Sequence, residues 1–205
     1  MGILHKLTFA PRLVKQYFYL RFNKLIFKSA GAIIGDNFKV YNRFCLKMYK
    51  GARLKIGDDF VLYSGECINP VSKNLEGCFF IDNEAEMVIG NHVGMSSPTI
   101  WCAKKIVLRN NVRIGGGVTI LDTDCHSLNY LDRRIGCPDK ENAKSEPVMI
   151  EEDVLIGANS IILKGSHIGA RSIIGAGSVV SGFIPSDCVA AGNPCKIIRK
   201  IGTSQ

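Results

Sequence analysis

Aliphatic residues return every six positions toward the C-terminal end of the chain: Ile150, Ile156, Ile162, Ile168, Ile174 and Val180. A second series stands four residues behind each, as Val154, Ser160, Ser166, Ser172, Ser178 and Ile184. A helix repeats every ~3.6 residues and a plain strand every ~2. A strict six predicts a solenoid of very short strands, each followed by a turn, with one aliphatic side chain per turn pointing inward. Glycine follows several of these residues (Gly157, Gly169, Gly175) and suits tight corners.

The same pulse runs earlier with less fidelity. Ile34, Val40 and Leu46 form one group; Ile56, Leu62 and Ile68 a second; Ile89, Met95 and Trp101 a third; Leu108, Ile114 and Ile120 a fourth. The phase slips at 47–55, 69–88 and 102–107, which read as bulged corners or short insertions. Three sixes make one coil of about 18 residues, so the body, 30–201, holds about seven coils. The fold class is an all-β solenoid whose stacked aliphatic residues form one continuous core.

The rhythm breaks at "ILDTDCHSL", residues 120–128, where the aliphatic position falls to His126. A polar stretch without periodicity follows, "NYLDRRIGCPDKENAKSEP", and predicts an extruded loop near 127–148. A structureless stretch of that length inside a compact domain is usually functional. Residues 1–29 form a separate arm. Within it "PRLVKQYFYLRFNKLIFK", 11–28, reads as a helix with Pro11 in its first turn and Val14, Phe18, Phe22 and Leu25 on one stripe.

Charge separates the arm from the body. The arm holds Lys6, Arg12, Lys15, Arg21, Lys24 and Lys28 before the first acid, Asp36, and so carries six of the eight net positive charges. The near-neutral body argues against nucleic acid as a partner. Two readings of the arm stand side by side: a helix covering the open first coil, or a basic aromatic helix resting on an anionic membrane face through residues 1–28. No apolar run approaches ~20 residues, so no spanning helix is expected, and the N-terminus does not read as a secretory signal. The eight cysteines include no C-x-x-C pair. Reduced, buried thiols and a cytoplasmic location, peripheral on the inner membrane face if the arm binds lipid, are the expectation. The four histidines are too scattered for a metal site, and no metal is expected.

His126 is the residue that a rigid wall of aliphatic coils would otherwise lack. A group with pKa near 7 can take a proton from a hydroxyl and return it to a leaving group. Asp122 and Asp124 both stand close enough in sequence to hold the ring's other nitrogen; Asp124 is equally placed to bind a ligand. His92, in "GNHVG", reads as a turn residue, and His167 as an exposed corner residue. Cys125 adjoins His126, but adjacent residues on an extended chain point oppositely. In the loop, Asn129, Tyr130 and Arg133 are candidates for contact with a ligand.

The segment "VMIEEDVLIGANSIILKGSHIGARSIIGAGSVVSGFIPSDCVAAGNPCKIIRKI" resembles the hexapeptide-repeat acetyltransferases, which include galactoside, maltose and serine acetyltransferases and enzymes that O-acetylate surface polysaccharides. The resemblance is strong over 108–201, fair over 30–107 and absent over 1–29. It implies a left-handed parallel β-helix, an exception to the usual right-handed crossover, assembled as a homotrimer with acetyl-CoA in a groove between neighbouring subunits. It implies that His126, at the position of the family's base beside an extruded loop, activates a saccharide or lipid-linked glycan hydroxyl. Ala158, Ala176 and Ser181 match positions that meet the pantetheine arm, and Lys196 and Arg199 match the two basic contacts to phosphate. Lys196 departs from a common Arg, and Leu155 stands where relatives often place a Trp bordering the active site. The alternatives are N-acetylation of an amino-sugar nucleotide and a non-catalytic β-helix scaffold.

Overall fold

The computed structural model describes residues 3–66 and 69–202, with side chains from Val14 onward except Cys137. Ile68, one of the period-six positions, lies outside the described residues. Helix α1 spans Ile3–Ser29. The chain then winds through short strands that deal themselves in rotation to three sheets, of seven, eight and six strands among the described residues. The first sheet runs from Ile33–Ile34 to Phe183–Ile184, the second from Lys39–Tyr41 to Cys188–Ala191, and the third from Cys45–Met48 to Val179–Val180. Successive strands of one sheet are parallel, as with Ile106, Val107 and Leu108 opposite Val148, Met149 and Ile150. The three sheets are the faces of a parallel β-helix. A last strand, Lys196–Lys200, folds back antiparallel on Cys188–Ala191 and closes the second sheet.

The period of six arises because each face contributes two inward residues, one at its corner and one on its strand. Ile150, Ile156, Ile162, Ile168, Ile174 and Val180 are all fully buried. Each such side chain withdraws enough apolar surface to contribute about 1.5–3 kcal/mol. The serine series is buried too, and its hydroxyls are satisfied by carbonyls: Ser172 Oγ donates to Pro185 O at 2.7 Å and Ser178 Oγ to Gly175 O at 2.6 Å. A small polar residue therefore fits the tight corner and fills a backbone need there.

Two sequence readings are corrected. Trp101 is not an inward residue: Ile100 and Cys102 point into the core, and Trp101 lies between them on the outer face. Ser97, with φ of 42°, and Pro98 shift the strand by one residue, and a shift of one exchanges the faces. The loop after His126 is not structureless. It holds two short helices, α2 at Tyr130–Ile135 and α3 at Cys137–Glu141.

Helix α1 is longer than the 11–28 read from the sequence, and its C-terminal end covers the first coil. Phe27 is fully buried against Phe38, Phe44 and Phe79, with ring centroids at 4.9, 5.7 and 6.4 Å. Asn23 is buried beside it, and its Nδ2 donates to the Val40 and Asn42 carbonyls at 2.9 and 2.7 Å. These bonds occupy backbone acceptors at the open end of the second sheet, where no further coil follows. The stripe Val14, Phe18, Phe22 and Leu25 faces away from the body and is exposed. No described helix is long and apolar enough to cross a membrane.

Candidate active site

His126 sits where the chain leaves the third sheet after strand Thr119–Leu121. The neck of the loop is sewn shut just there. Thr123 bridges Ser145, Asp124 N–H donates to Lys144 O at 2.9 Å, and Glu146 N–H donates to Asp122 O at 2.9 Å. The excursion is thus a clamped arm and not a slack insertion, and His126 stands at its base. The side chain of His126 is 68% exposed and lines a cleft of ≈ 700 Å³.

Asp139 orients the imidazole. Its Oδ2 lies 2.7 Å from His126 Nδ1, and its Oδ1 accepts the Ser127 N–H at 2.8 Å. The hydrogen bond to His126, aided by the Ser127 amide, holds the Asp139 carboxyl below the usual carboxylate range. The carboxylate therefore stays ionised at neutral pH and prefers a proton on Nδ1, which leaves Nε2 as the basic nitrogen. Helix α3 brings Asp139 to this point, 13 residues beyond the histidine.

The two acids named from the sequence are otherwise engaged. Asp122 is fully buried, and its carboxylate accepts backbone N–H groups of Ala103, Lys104 and Lys105 at 2.6, 2.8 and 2.7 Å. It ties the corner of one coil to the corner of the next. Asp124 faces Lys164, with Nζ at 3.5 Å from Oδ2. Burial, then Asp124, Asp82 and Asp122, push the Cys125 thiol up and keep it protonated.

The loop residues brace the loop. Asn129 caps α2 by accepting the Leu131 N–H, and Arg133 Nη1 donates to Ser127 O at 2.6 Å. Tyr130 is exposed beneath the Arg134 guanidinium, 5.0 Å from its ring centre. The cleft takes its loop wall from Lys140, Ala143 and Ser145 instead. Its opposite wall is aromatic, made of Tyr49, Phe80 and Trp101. Sequence reading missed Asp139 and this wall. Spacing held no signal for the first. For the second the signal was there: the Phe80-to-Trp101 interval is one coil plus a slip.

The donor-side candidates form a separate group. Ala158 and Ala176 stack in consecutive coils, with Gly177 N–H donating to Ala158 O at 2.8 Å. A Cβ on Gly157 would lie 2.3 Å from Ala176 N, so glycine is required for the coils to close up here. This column of small residues follows the second sheet and precedes the third, whereas His126 follows the third. The two groups therefore flank the third sheet at opposite corners. Ser181 is exposed just past Val179–Val180, and Lys196 and Arg199 are exposed on the closing strand. Leu155 lines a different hollow with His92 and Arg113.

The repeat is a family signature. Residues 147–182 match the model described as bacterial transferase hexapeptide (six repeats). Over these residues the chain carries the hexapeptide repeat of bacterial transferases. A Saccharomyces cerevisiae protein named as an acetyltransferase is 38% identical over 128 residues, 62% of each chain. The galactoside O-acetyltransferase of Lactococcus lactis is 44% identical over 99 residues, 48% of this chain and 45% of its own. The chain thus spans less than two thirds of the length of these curated relatives, which include N-acetyltransferases as well. Among solved structures, a hexapeptide-repeat acetyltransferase of Vibrio cholerae complexed with acetyl coenzyme A is 26% identical, with a TM-score of 0.53, over 75% of this chain and 73% of that one. Such neighbours imply a left-handed hand for the β-helix of this hexapeptide-repeat chain.

Proposed function

We propose that the chain transfers acetyl from acetyl-CoA to a hydroxyl of a saccharide or lipid-linked glycan, with His126 as general base. The observation that carries this reading is the His126–Asp139 pair, 2.7 Å apart, at the base of a clamped loop and the mouth of a cleft. Nε2 takes the proton of the acceptor hydroxyl as its oxygen attacks the thioester carbonyl. The tetrahedral intermediate then collapses with cleavage of the C–S bond, and the imidazolium protonates the departing CoA thiolate. Products are the acetyl ester and free CoA, and no acyl-enzyme is formed. Asp139 keeps the tautomer and steadies the imidazolium without taking the proton.

The donor reading rests on the family and on the column of small residues. Ala158 and Ala176 leave room for pantetheine along the coil edge, Ser181 adds a contact, and Lys196 and Arg199 meet phosphate. Ala158 and Ala176 occupy the corner of the third sheet opposite to that of His126, which favours a site completed between copies in a homotrimer. The test is thiol release from acetyl-CoA across a panel of sugars, nucleotide sugars, amino sugars and glycolipids. Release with hydroxyl acceptors supports the reading, release with amines alone moves it to N-acetylation, and neither turnover nor CoA binding leaves a scaffold. Asp139→Asn should lower kcat by about 10- to 100-fold with a smaller change in KM, because it loses orientation but no substrate contact. Unchanged kcat in that variant would remove Asp139 from the mechanism.

The exposed stripe of α1 fits an anionic membrane face. Val14, Phe18, Phe22 and Leu25 are exposed together, and Lys15, Arg21, Lys24 and Lys28 supply the charge. Deleting the arm would also uncover Phe27, so the informative variant changes the stripe alone. The full chain should sediment with vesicles containing anionic lipid, and Phe18→Ser/Phe22→Ser should not. Equal sedimentation of the two proteins, or none by either, overturns this contact.

A further inference from the structure

The aromatic wall of the cleft continues well past His126. Along the third sheet, Lys47, Phe80 and Trp101 stand opposite one another in register. Tyr49 follows the same strand as Lys47. Ring centroids are 6.0 Å apart from Tyr49 to Phe80 and 5.9 Å from Phe80 to Trp101. The outward positions of the later coils of this sheet hold no aromatic residue: Leu121 lies opposite Trp101, and the adjacent outward register runs Thr119, Ile161 and Val179. The aromatic residues are therefore confined to the three coils that lead up to the His126 loop.

The rings are set to present a surface. Trp101 Nε1 donates to Asp82 Oδ2 at 2.7 Å, which fixes the indole on the sheet. Tyr49 is 47% exposed, and Phe80 and Trp101 are half-buried. Asp82 and Asn83 line the same cleft and add hydrogen-bonding groups beside the rings. The ring planes are tilted to one another by 49° and 54°, and Lys47 Nζ lies 4.8 Å from the Phe80 ring centre. A stepped run of aromatic rings edged with a cation, an acid and an amide fits a pyranose chain, whose rings have C–H faces and hydroxyl rims. Strands of one sheet lie about 4.8 Å apart, so three coils span roughly 10 Å. That is about the length of two linked sugars beyond the one held at His126.

Resting on the reading of His126 as the base, we propose that Tyr49, Phe80 and Trp101 form a binding rail for an oligosaccharide acceptor. The acetylated unit sits at His126 and its neighbours in the chain lie along the rings. The acceptor class is thus a glycan of two or more units in preference to a free monosaccharide. Tyr49 is the far end of the rail and sets the preference for length; Trp101 is nearest the reacting unit.

Trp101 is the one tryptophan in the chain, so its fluorescence reports the rail without turnover. Galactose, β-linked galactobiose and galactotetraose, with the matching glucose series, are titrated against the full-length protein and against His126→Ala. For one series the tetraose should bind at least ~10-fold more tightly than the monosaccharide, and that ratio should persist in His126→Ala. Tyr49→Ala and Phe80→Ala should raise the tetraose Kd by about 10-fold and leave the monosaccharide Kd unchanged. Absence of any length dependence in both series overturns the rail. So does a change in sedimentation coefficient of the ring variants with unaltered saccharide binding, which would make the rings a subunit contact. Length-dependent binding together with full turnover by His126→Ala keeps the rail and removes the base.

Discussion

Replacing His126 by alanine will slow acetyl transfer by about 10²- to 10⁴-fold while leaving the protein as stable as before. The first half follows from chemistry. A sugar hydroxyl is a poor nucleophile at neutral pH, and a positioned base contributes about that factor by removing its proton in the transition state. The second half follows from position. The imidazole is 68% exposed and fills no space in the core, so its removal opens no cavity. Its one described hydrogen bond is to Asp139, a buried carboxylate that keeps the Ser127 N–H when the imidazole is gone. The measurement is single-turnover thiol release beside a thermal melt. Loss of rate at constant melting temperature supports proton transfer. Unchanged turnover would end the mechanism, and a fallen melting temperature would show that the residue holds the loop.

The regular half of the fold was legible because its physics is local. From Ile150 to Val180 each inward side chain meets copies of itself one coil away, so a six-residue pulse carries the whole packing instruction. Where a corner is one residue short, as at Ser97 and Pro98, the pulse continues in the sequence but changes face in space. That is why Trp101 was read as core and is in fact on the surface. The rail was hidden for the same reason, since Phe80 and Trp101 are neighbours only through the register of two strands. His126 was legible as an exception to the pulse. Its orienting acid was not, because Asp139 reaches it through α2 and α3, whose positions depend on contacts among Ser127, Asp132 and Arg133. Nearness in sequence favoured Asp122 and Asp124, but on a chain turning a coil corner adjacent residues face different neighbours. One of them turned inward and the other toward Lys164.

Asp122→Ala is the complementary case: a large loss of stability with little loss of intrinsic rate. Its carboxylate is fully buried and accepts three backbone N–H groups from Ala103, Lys104 and Lys105. Alanine removes all three acceptor contacts and leaves the donors without their protein partner. The expected cost is about 3 kcal/mol, below a simple sum because the corner relaxes. For a chain of this size that corresponds to a fall in melting temperature of roughly 6–12 °C. Asp122→Asn should fall between the wild type and alanine. Its amide oxygen keeps some of the bonds, while its NH₂ group meets an N–H donor head on. Below the new melting temperature, turnover per folded molecule should stay within about threefold of wild type, because Asp139 and not Asp122 holds the ring and the neck of the loop is closed by backbone bonds. Opposite results, an unchanged melting temperature with turnover lost, would return Asp122 to the catalytic group and leave Asp139 as a brace. The His126 and Asp122 variants thus separate the two tasks at this corner, one side chain acting on substrate and the other keeping the coils in place beneath it.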